Sequence, residues 1–337
     1  MTRMLVSLLT LGPPDQLTGG YLYHRRVADL AGAHGAAVEF VAVPVVKNPF
    51  AMAHGVVVVV DSIAAARVAM WRDPERRRPL AAIVHQPPGG IDRRWPHRTM
   101  QAVLDRTLYR RCDLVIAASD ALKAALPVPA RVAAPGCDAP ASAPPEDLRR
   151  GRQVAFLSVG NWMARKGTLE LLDAFARLSP GRATLHLAGR DDVEARYAAR
   201  VHARLRRPDL ATRVVWHGPI SRAEVQALYA GADAFVLPSR REPYGTVYGE
   251  ALAAGIPPVG WRAGNLPNLI EDGRSGVLVE PGDVAGLAAA LDRLATDTIW
   301  RARLADGAAA RGQALPAWAD TAADLFGLLR GLTASAR

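Results

Sequence analysis

One stretch of the chain decides its fold class. It reads Ser239-Arg-Arg-Glu-Pro-Tyr-Gly-Thr-Val-Tyr-Gly-Glu-Ala-Leu-Ala-Ala-Gly255. An apolar run typical of a buried strand ends just before it, at Leu237, and a helical pattern begins inside it, at Thr246. A strand that passes through a glycine-containing loop into a helix is the repeating unit of a parallel sheet covered by helices.

The same stretch places two carboxylates around an anion site. Glu242 falls in the loop at the end of the strand, and Glu250 falls about one turn into the helix. The N–H groups of Gly245, Thr246 and Val247 would form the anion seat at the helix start. This pattern favours a ligand that carries both hydroxyls and a phosphate. For Glu250 taken alone, a solvated carboxylate near a helix start is an equally good interpretation.

Strand and helix patterns alternate along the whole chain, in one series before a proline-rich segment and a second series after it. We therefore predict an α/β protein with two doubly wound parallel-sheet domains, Rossmann-like in form, that face a central cleft. The expected boundaries are an N-terminal domain at 1–140, a linker at 141–152, a C-terminal domain at 153–315 and a helix at 316–337. We expect this last helix to pack back on the N-terminal domain.

Composition argues against several classes of protein. Two cysteines, Cys112 and Cys137, make neither a disulfide framework nor a cysteine-based zinc site, and they are typical of a reducing cytosol. The first residues predict a buried strand and not a signal peptide. The densest apolar stretch, Val56–Val60, is far shorter than a membrane span, so we expect a cytoplasmic protein.

The net charge of +10 raises the question of a nucleic-acid partner. Of the 42 basic residues only Lys47, Lys123 and Lys166 are lysine, and a GC-rich coding bias explains much of the arginine. No binding motif and no aromatic ladder accompany the charges, so we predict no nucleic-acid partner. For the arginine-rich region Trp71–Arg111 two interpretations stay open: peripheral contact with the inner face of a membrane, and a solvated surface.

A second motif, Val159-Gly-Asn-Trp-Met-Ala-Arg-Lys-Gly167, also links a strand to a helix. Lys166 lies in the loop at the carboxyl end of the strand, where a compact ammonium suits a diphosphate and would offset its charge. The other interpretation is a surface basic pair with Arg165, which the helix dipole disfavours at a helix start.

These two motifs, together with the segment Gly264–Asp283, resemble the retaining glycosyltransferases of the GT-B fold, specifically glycosyltransferase family 4 (glycosyl transferases group 1). Glu242 and Glu250 match that family's E-x7-E pair, and Arg165-Lys166-Gly167 is similar to its R-K-G. The resemblance is dense over residues 150–315 and thinner before them. It implies an EC 2.4 hexosyltransferase that moves a hexose-type sugar from a nucleoside-diphosphate sugar to an acceptor hydroxyl, with retention of anomeric configuration.

The resemblance also implies a role for each site residue. Glu242 would bind the hydroxyls of the transferred sugar, Lys166 would grip the diphosphate, and His85 would lie near the reacting carbon. The donor would be bound by Glu250 at the ribose and, around sugar and diphosphate, by Lys166, Arg165, Gly19, Gly20, Tyr244, Gly245, Thr246 and Val247. For His85 alone, a hydrogen-bonded core imidazole is the commoner case, and for Gly19-Gly20 an ordinary turn.

The implied reaction uses the nucleotide-sugar, of unknown base, as a co-substrate. The sequence has no D-x-D motif and no clustered His/Asp signature, so we expect no obligatory metal and no tightly bound cofactor. The sequence does not identify the acceptor, and a lipid, a small metabolite and a glycan all stay open. The resemblance places the acceptor in the N-terminal domain and the donor in the C-terminal one.

Two positions depart from the family pattern. Asn161 stands where many members carry an arginine, and Asn268 stands where many carry an acid. Without the family's arginine at position 161, diphosphate binding would be weaker, or Arg165 or another arginine would bind the diphosphate instead. Two other functions stay open: another GT-B nucleotide-sugar enzyme, such as an epimerase, and a non-catalytic GT-B partner subunit.

Overall fold

The structure, a computed structural model, describes residues 3–12, 19–44, 47–74, 78–92, 96–138 and 147–335. The chain divides into two compact units, one of Met1–Gly136 with Pro316–Arg337 and one of Cys137–Leu315. The sequence placed the first boundary at 140/141. Residues 141–146 of the predicted linker lie outside the described residues.

The first unit contains, in its described part, a six-stranded parallel sheet with the order β2-β1-β3-β4-β5-β6. Its strands are β1 (Met4–Thr10), β2 (Ala36–Ala42), β3 (Val57–Asp61), β4 (Leu80–Val84), β5 (Leu114–Ala117) and β6 (Arg131–Val132). The connecting helices are α1 (Gly19–Leu30), α2 (Ala65–Val68), α3 (His97–Tyr109) and α4 (Asp120–Ala124). Strand β3 is buried along its whole length, because a parallel sheet is covered on both faces.

The second unit repeats this architecture, and its described residues form a six-stranded parallel sheet with the order β12-β11-β10-β7-β8-β9. Its strands are β7 (Val154–Val159), β8 (Ala183–Ala188), β9 (Val214–Trp216), β10 (Ala234–Leu237), β11 (Pro258–Trp261) and β12 (Val277–Val279). Its helices are α5 (Thr168–Phe175), α6 (Ala195–Leu205), α7 (Arg222–Gly231), α8 (Thr246–Ala253), α9 (Leu266–Leu269), α10 (Val284–Thr296) and α11 (Thr298–Gln313). The chain leaves β7 toward β9 and then returns to the other side of β7, so the strand order reverses between β7 and β10.

The last helix, α12 (Trp318–Ser335), belongs to the first unit. Its buried residues recur at helical spacing and share a core with residues of β1 and α1; they are Trp318, Ala322, Leu325, Phe326 and Leu329. The hydroxyl of Thr321 donates to the carbonyl of Ala134 at 2.8 Å, which fixes the start of the helix near the end of the first unit's main segment.

The predicted α/β class and the two parallel sheets are confirmed. The sequence missed the short helices α2 and α9 and the 3-10 turns at Pro49–Met52 and Ala164–Lys166. Each is too short to show a hydrophobic period. Among the described helices, none has both the length and the apolar character that a bilayer crossing requires.

Two arginines of the region Trp71–Arg111 have internal structural roles. Arg78 pairs with Asp73 at 3.2 Å. Arg111 donates to the carbonyls of Ala69 at 3.0 Å and Trp71 at 2.7 Å. Other members of that region lie outside the described residues: Arg76, Arg77, Arg93, Arg94 and Trp95. Part of the local charge excess therefore satisfies backbone carbonyls of the first unit.

We expect Phe326→Ala to lower the free energy of unfolding of the first unit by about 3–5 kcal/mol. The ring is fully buried and stacks on His34 with centroids 5.6 Å apart, so its removal leaves a cavity. Denaturant titration measures the change. Gly327→Ala is the matched control, because a Cβ there meets nothing within 4 Å and helix propensity improves by up to about 1 kcal/mol. Equal stability of the two variants would contradict the packing of α12.

Candidate active site

The chain reversal in the second sheet brings two distant loops together. Strands β7 and β10 are parallel neighbours, with Phe156 opposite Ala234. Both loops therefore leave the same edge of the sheet, the edge at which open α/β proteins bind ligands. One loop carries Lys166 and the other carries Glu242.

Lys166 and Glu242 form an ion pair at this edge. The Nζ atom of Lys166 lies 2.7 Å from Oε2 of Glu242, and the two side chains are only 14% and 11% exposed. A buried pair at this distance is a strong charge-assisted hydrogen bond. The structure thus joins directly two residues that the sequence assigned to different parts of a ligand.

Glycine is required where these loops meet. Gly167 has a φ of 73°, and a Cβ built on it would overlap the carbonyl oxygen of Pro238. Gly264 has a φ of 60°, and its Cβ would overlap the carbonyl oxygen of Glu242. Both positions combine left-handed backbone with a close approach that only glycine allows. The loop that carries Glu242 is therefore held from two sides.

Sequence reasoning missed the supporting role of Asn265. This residue is 3% exposed. Its backbone N–H donates to the carbonyl of Glu242 at 2.9 Å, and its side-chain amide donates to the carbonyl of Tyr244 at 3.0 Å. Asn265 thus fixes the backbone around the carboxylate. The only signal in the sequence is that Asn265 follows the glycine that begins the segment Gly264–Asp283.

The candidate anion seat is the start of helix α8. Gly245 precedes the helix with a φ of 99°, and a Cβ there would lie 2.8 Å from Cδ1 of Leu269. The hydroxyl of Tyr248 donates to the carbonyl of Leu237, which ties the first turn to the end of β10. First-turn N–H groups of a helix have no partner within the helix, and in α8 these groups include those of Thr246 and Val247.

Glu250 lies on α8 within a partly exposed polar network that the sequence did not predict. One of its oxygens is 3.4 Å from Arg222 Nη2, and the other is 3.4 Å from the hydroxyl of Tyr229. Arg222 also pairs with Asp138. Burial raises the pKa of Glu250, and the Arg222 guanidinium opposes that shift.

Asn161, which departs from the family pattern, and Arg165, its expected substitute, both have defined local contacts near Lys166. The Oδ1 atom of Asn161 accepts the backbone N–H of Arg190 at 3.2 Å, which links the loops after β7 and β8. The Arg165 guanidinium reaches the carbonyl of Arg241 at 3.4 Å, so it contacts the backbone beside Glu242.

The first unit has its own group of predicted residues. Helix α1 begins at Gly19, and His85 follows strand β4 directly. A Cβ built on Gly20 would lie 3.5 Å from Cδ2 of His85. Gly20 and His85, which were predicted separately, are therefore neighbours.

Two further residues surround His85, and the sequence gave no role to either. The Nε2 atom of His24 is 2.9 Å from Oδ2 of Asp61, and both side chains are buried. The rings of His24 and His85 meet edge to face with centroids 4.8 Å apart. Burial lowers the pKa of His85 to about 3, with a smaller contribution from His24.

Comparison with solved structures identifies the class of fold. The sucrose-phosphate synthase of Thermosynechococcus elongatus superimposes with a TM-score of 0.84 and 21% identity, over 99% of this chain and 100% of that one. HepE of Anabaena in complex with UDP-glucose gives a TM-score of 0.77 and 22% identity, over 98% of this chain and 100% of that one. The fold is GT-B, with two Rossmann-like units.

Comparison of sequences is more specific for the second unit. Residues 153–297 match the family model of the glycosyl transferases group 1. The glycogen synthase of Mycobacterium tuberculosis is 41% identical over 147 residues, which are 42% of this chain and 34% of that protein. The chain thus spans about a third of the length of that curated relative. Residues 153–297, within the second unit, are thus similar to the glycosyl transferases group 1.

We expect Gly167→Ala to lower the free energy of unfolding by about 1–3 kcal/mol, because the added Cβ meets Pro238 and the left-handed backbone is strained. Gly181→Ala is the matched control, since its Cβ meets nothing within 4 Å. Chemical denaturation of both variants measures the difference. A Gly167→Ala protein as stable as Gly181→Ala would show that the two loops do not approach as described.

Proposed function

We propose that this protein is a retaining glycosyltransferase of family 4 that moves a hexose-type sugar from a nucleoside-diphosphate sugar to an acceptor hydroxyl. The observation that carries the proposal is the buried ion pair of Lys166 and Glu242 in loops that lead into α5 and α8. A cation, a carboxylate and the amides of a helix start are the groups that sugar hydroxyls and phosphates require.

The ion pair reduces the repulsion between the Glu242 carboxylate and a bound diphosphate. A lone carboxylate beside a diphosphate would repel it, and burial would strengthen that repulsion. Lys166 neutralises Glu242 before the donor arrives. An ammonium has three N–H groups, so Lys166 can hold the carboxylate and a phosphate oxygen together. Glu242 then accepts hydrogen bonds from the hydroxyls of the transferred sugar.

The nucleotide would extend from this pair along α8. The first-turn amides of Gly245, Thr246 and Val247 would bind the diphosphate, and Glu250 would accept the ribose hydroxyls. Glu250 serves this role in its ionised form. Arg222 opposes the effect of burial on the pKa of Glu250, so we assign it the role of keeping that carboxylate charged.

At the reaction step, the bond from the anomeric carbon to the diphosphate oxygen breaks. Lys166 and the helix amides would stabilise the charge left on the diphosphate. The acceptor hydroxyl attacks the same face of the sugar, and its proton passes to the departing phosphate oxygen. His85 would bind a hydroxyl near the reacting carbon. The proposed mechanism uses no covalent intermediate, no metal and no tightly bound cofactor.

The comparisons support the donor class in this proposal. HepE was solved with UDP-glucose bound, and residues 153–297 are similar to the glycosyl transferases group 1. They say nothing of the acceptor, which stays open among a lipid, a small metabolite and a glycan.

The first test is a thermal-shift panel of UDP, GDP, ADP, dTDP and CDP, run with and without magnesium. We expect one nucleotide to stabilise the protein by about 2.7 kcal/mol at a hundred times its dissociation constant. Turnover of the matching nucleotide-sugar, with the anomeric configuration of the product read by NMR, then tests transfer and retention.

Matched variants locate the pocket. We expect the shift to disappear in Lys166→Met/Glu242→Gln, where both charges are removed so that neither is left buried alone. Glu250→Gln should weaken it. Lys123→Met and Glu271→Gln, at exposed positions, should keep it. A folded wild-type protein with no shift and no turnover would overturn the proposed function, and a shift that survives both site variants would place the nucleotide elsewhere.

A further inference from the structure

A buried polar cluster lies at the carboxyl edge of the first sheet, and the proposed mechanism uses only one of its members. His24 comes from α1, Asp61 ends β3 and His85 follows β4. His24 is 2% exposed and Asp61 is fully buried. Burial of a carboxylate in an apolar core costs free energy unless its oxygens accept hydrogen bonds. The donors to Asp61 therefore show which side chains depend on this carboxylate.

Asp61 accepts hydrogen bonds on both oxygens. His24 Nε2 lies 2.9 Å from Oδ2, while the hydroxyl of Ser62 and the N–H of Ile63 donate to Oδ1 at 3.1 and 3.0 Å. Burial would raise the pKa of Asp61, but His24 above all, together with the Ile63 N–H, holds it below its usual range, so the group is a carboxylate. Nε2 of His24 therefore carries the hydrogen.

His85 is tied to the same carboxylate through its backbone. Its N–H donates at 3.0 Å to Oγ of Ser62, whose hydroxyl in turn donates to Asp61. The ring is packed edge to face between His24 and Tyr23, each at 4.8 Å between centroids. Both the position of the ring and its orientation are thus set by neighbours.

The Nε2 atom of His85 is buried and has no hydrogen-bond partner in the part of the chain that the structure describes. A buried ring nitrogen without a partner has lost its hydrogen bond to water and gained none in return, which destabilises the protein. A group that arrives with a ligand would recover that free energy. The neutral ring can accept from, or donate to, a hydroxyl.

We propose that His24 and Asp61 are positioning residues for His85: they hold its ring in one orientation and free of a second proton, so that Nε2 bonds to a substrate hydroxyl. The role of His85 toward a hydroxyl rests on the proposed function. The arrangement of the three side chains does not depend on that function, and histidine NMR tests it without a substrate.

The charges of His24 and Asp61 act on His85 in opposite directions, which explains why both residues are needed. Burial lowers the pKa of His85, His24 lowers it further, and Asp61 raises it. The proton that His24 shares with Asp61 repels a second proton on His85, an effect that a neutral amide does not reproduce. Without His24, the buried carboxylate would attract a proton to the next imidazole, which is His85. His24 thus shields His85 from Asp61.

Other titratable groups lie near the cluster. They are Tyr21 and Tyr23 on α1, Tyr109 and Asp105 on α3, and Asp324 on α12. Burial raises the pKa of each of the three tyrosines, so they remain neutral.

A metal site is the alternative use of these residues, since donor atoms of His24, Asp61 and His85 lie within 4.8 Å of one another. An imidazole lone pair lies in the plane of its ring. The planes of the two histidines cross at 75°, edge to face, and Nε2 of His24 is engaged by Asp61. This geometry favours a hydrogen-bonded dyad packed on a third ring.

Histidine NMR of the full chain tests the arrangement without any substrate. The protein has 8 histidines, and His85→Gln assigns the signal of interest. We expect His85 to stay neutral from pH 8 down to pH 5.5 in the wild type and to titrate at higher pH in His24→Gln, whose amide still donates to Asp61. Titration of wild-type His85 near pH 6.5, the ordinary value, would overturn the proposal.

The pH dependence of kcat tests the consequence for catalysis. If the pKa of His85 in His24→Gln rises to 6.5, its kcat falls about fourfold from pH 8 to pH 6, while the wild-type profile stays flat. The double variant His24→Gln/Asp61→Asn should regain a flat profile, because the carboxylate that attracts the proton is gone. A merely structural role would lower Tm without this rescue.

The controls separate the possible failures. His97→Gln, at an exposed position on α3, should leave the profile unchanged. Profiles of His24→Gln that parallel the wild type would overturn the proposal. So would stoichiometric binding of Zn²⁺ alone that is lost in His24→Gln. Absence of turnover in the wild type would instead refute the proposed function, while the NMR titration would still decide whether His24 and Asp61 control His85.

Discussion

The parallel arrangement of both sheets is the constraint on which the sites depend. In a parallel sheet every strand ends at the same edge, so residues far apart in sequence meet there according to strand order and not sequence distance. Lys166 and Glu242 meet because β7 and β10 are neighbours. His85 lies beside Asp61 because β3 and β4 are neighbours.

Each edge contains a buried carboxylate with a basic partner. Glu242 is paired with Lys166, and Asp61 is paired with His24. Replacement of a buried ion pair by apolar side chains is often neutral or stabilising, so stability alone does not explain such pairs. Perturbed and paired titratable groups concentrate at functional sites. Two such pairs at the ligand-binding edges of two sheets therefore argue for chemistry there.

The sequence was sufficient for the longer helices and strands, because these depend on local pattern, whereas the site residues that it named stay a prediction. The strands at Val154–Val159 and Ala234–Leu237 are as their apolar runs predicted. The contact between Lys166 and Glu242 was not predictable, since it depends on strand order. His24 lies inside a helix, where a single histidine has no local signal. Asn265 acts on backbone carbonyls, which no motif records.

The glycines show how the second unit makes its site rigid before a ligand is present. At Gly167 and Gly264 the backbones of two loops approach more closely than any side chain permits. The carbonyl of Glu242 is fixed by Asn265, and its carboxylate is fixed by Lys166. A group oriented in advance needs no reorganisation at the reaction step, which is where electrostatic catalysis gains most. Because each contact restrains the same few atoms, the effects of substitutions there should be coupled and not additive.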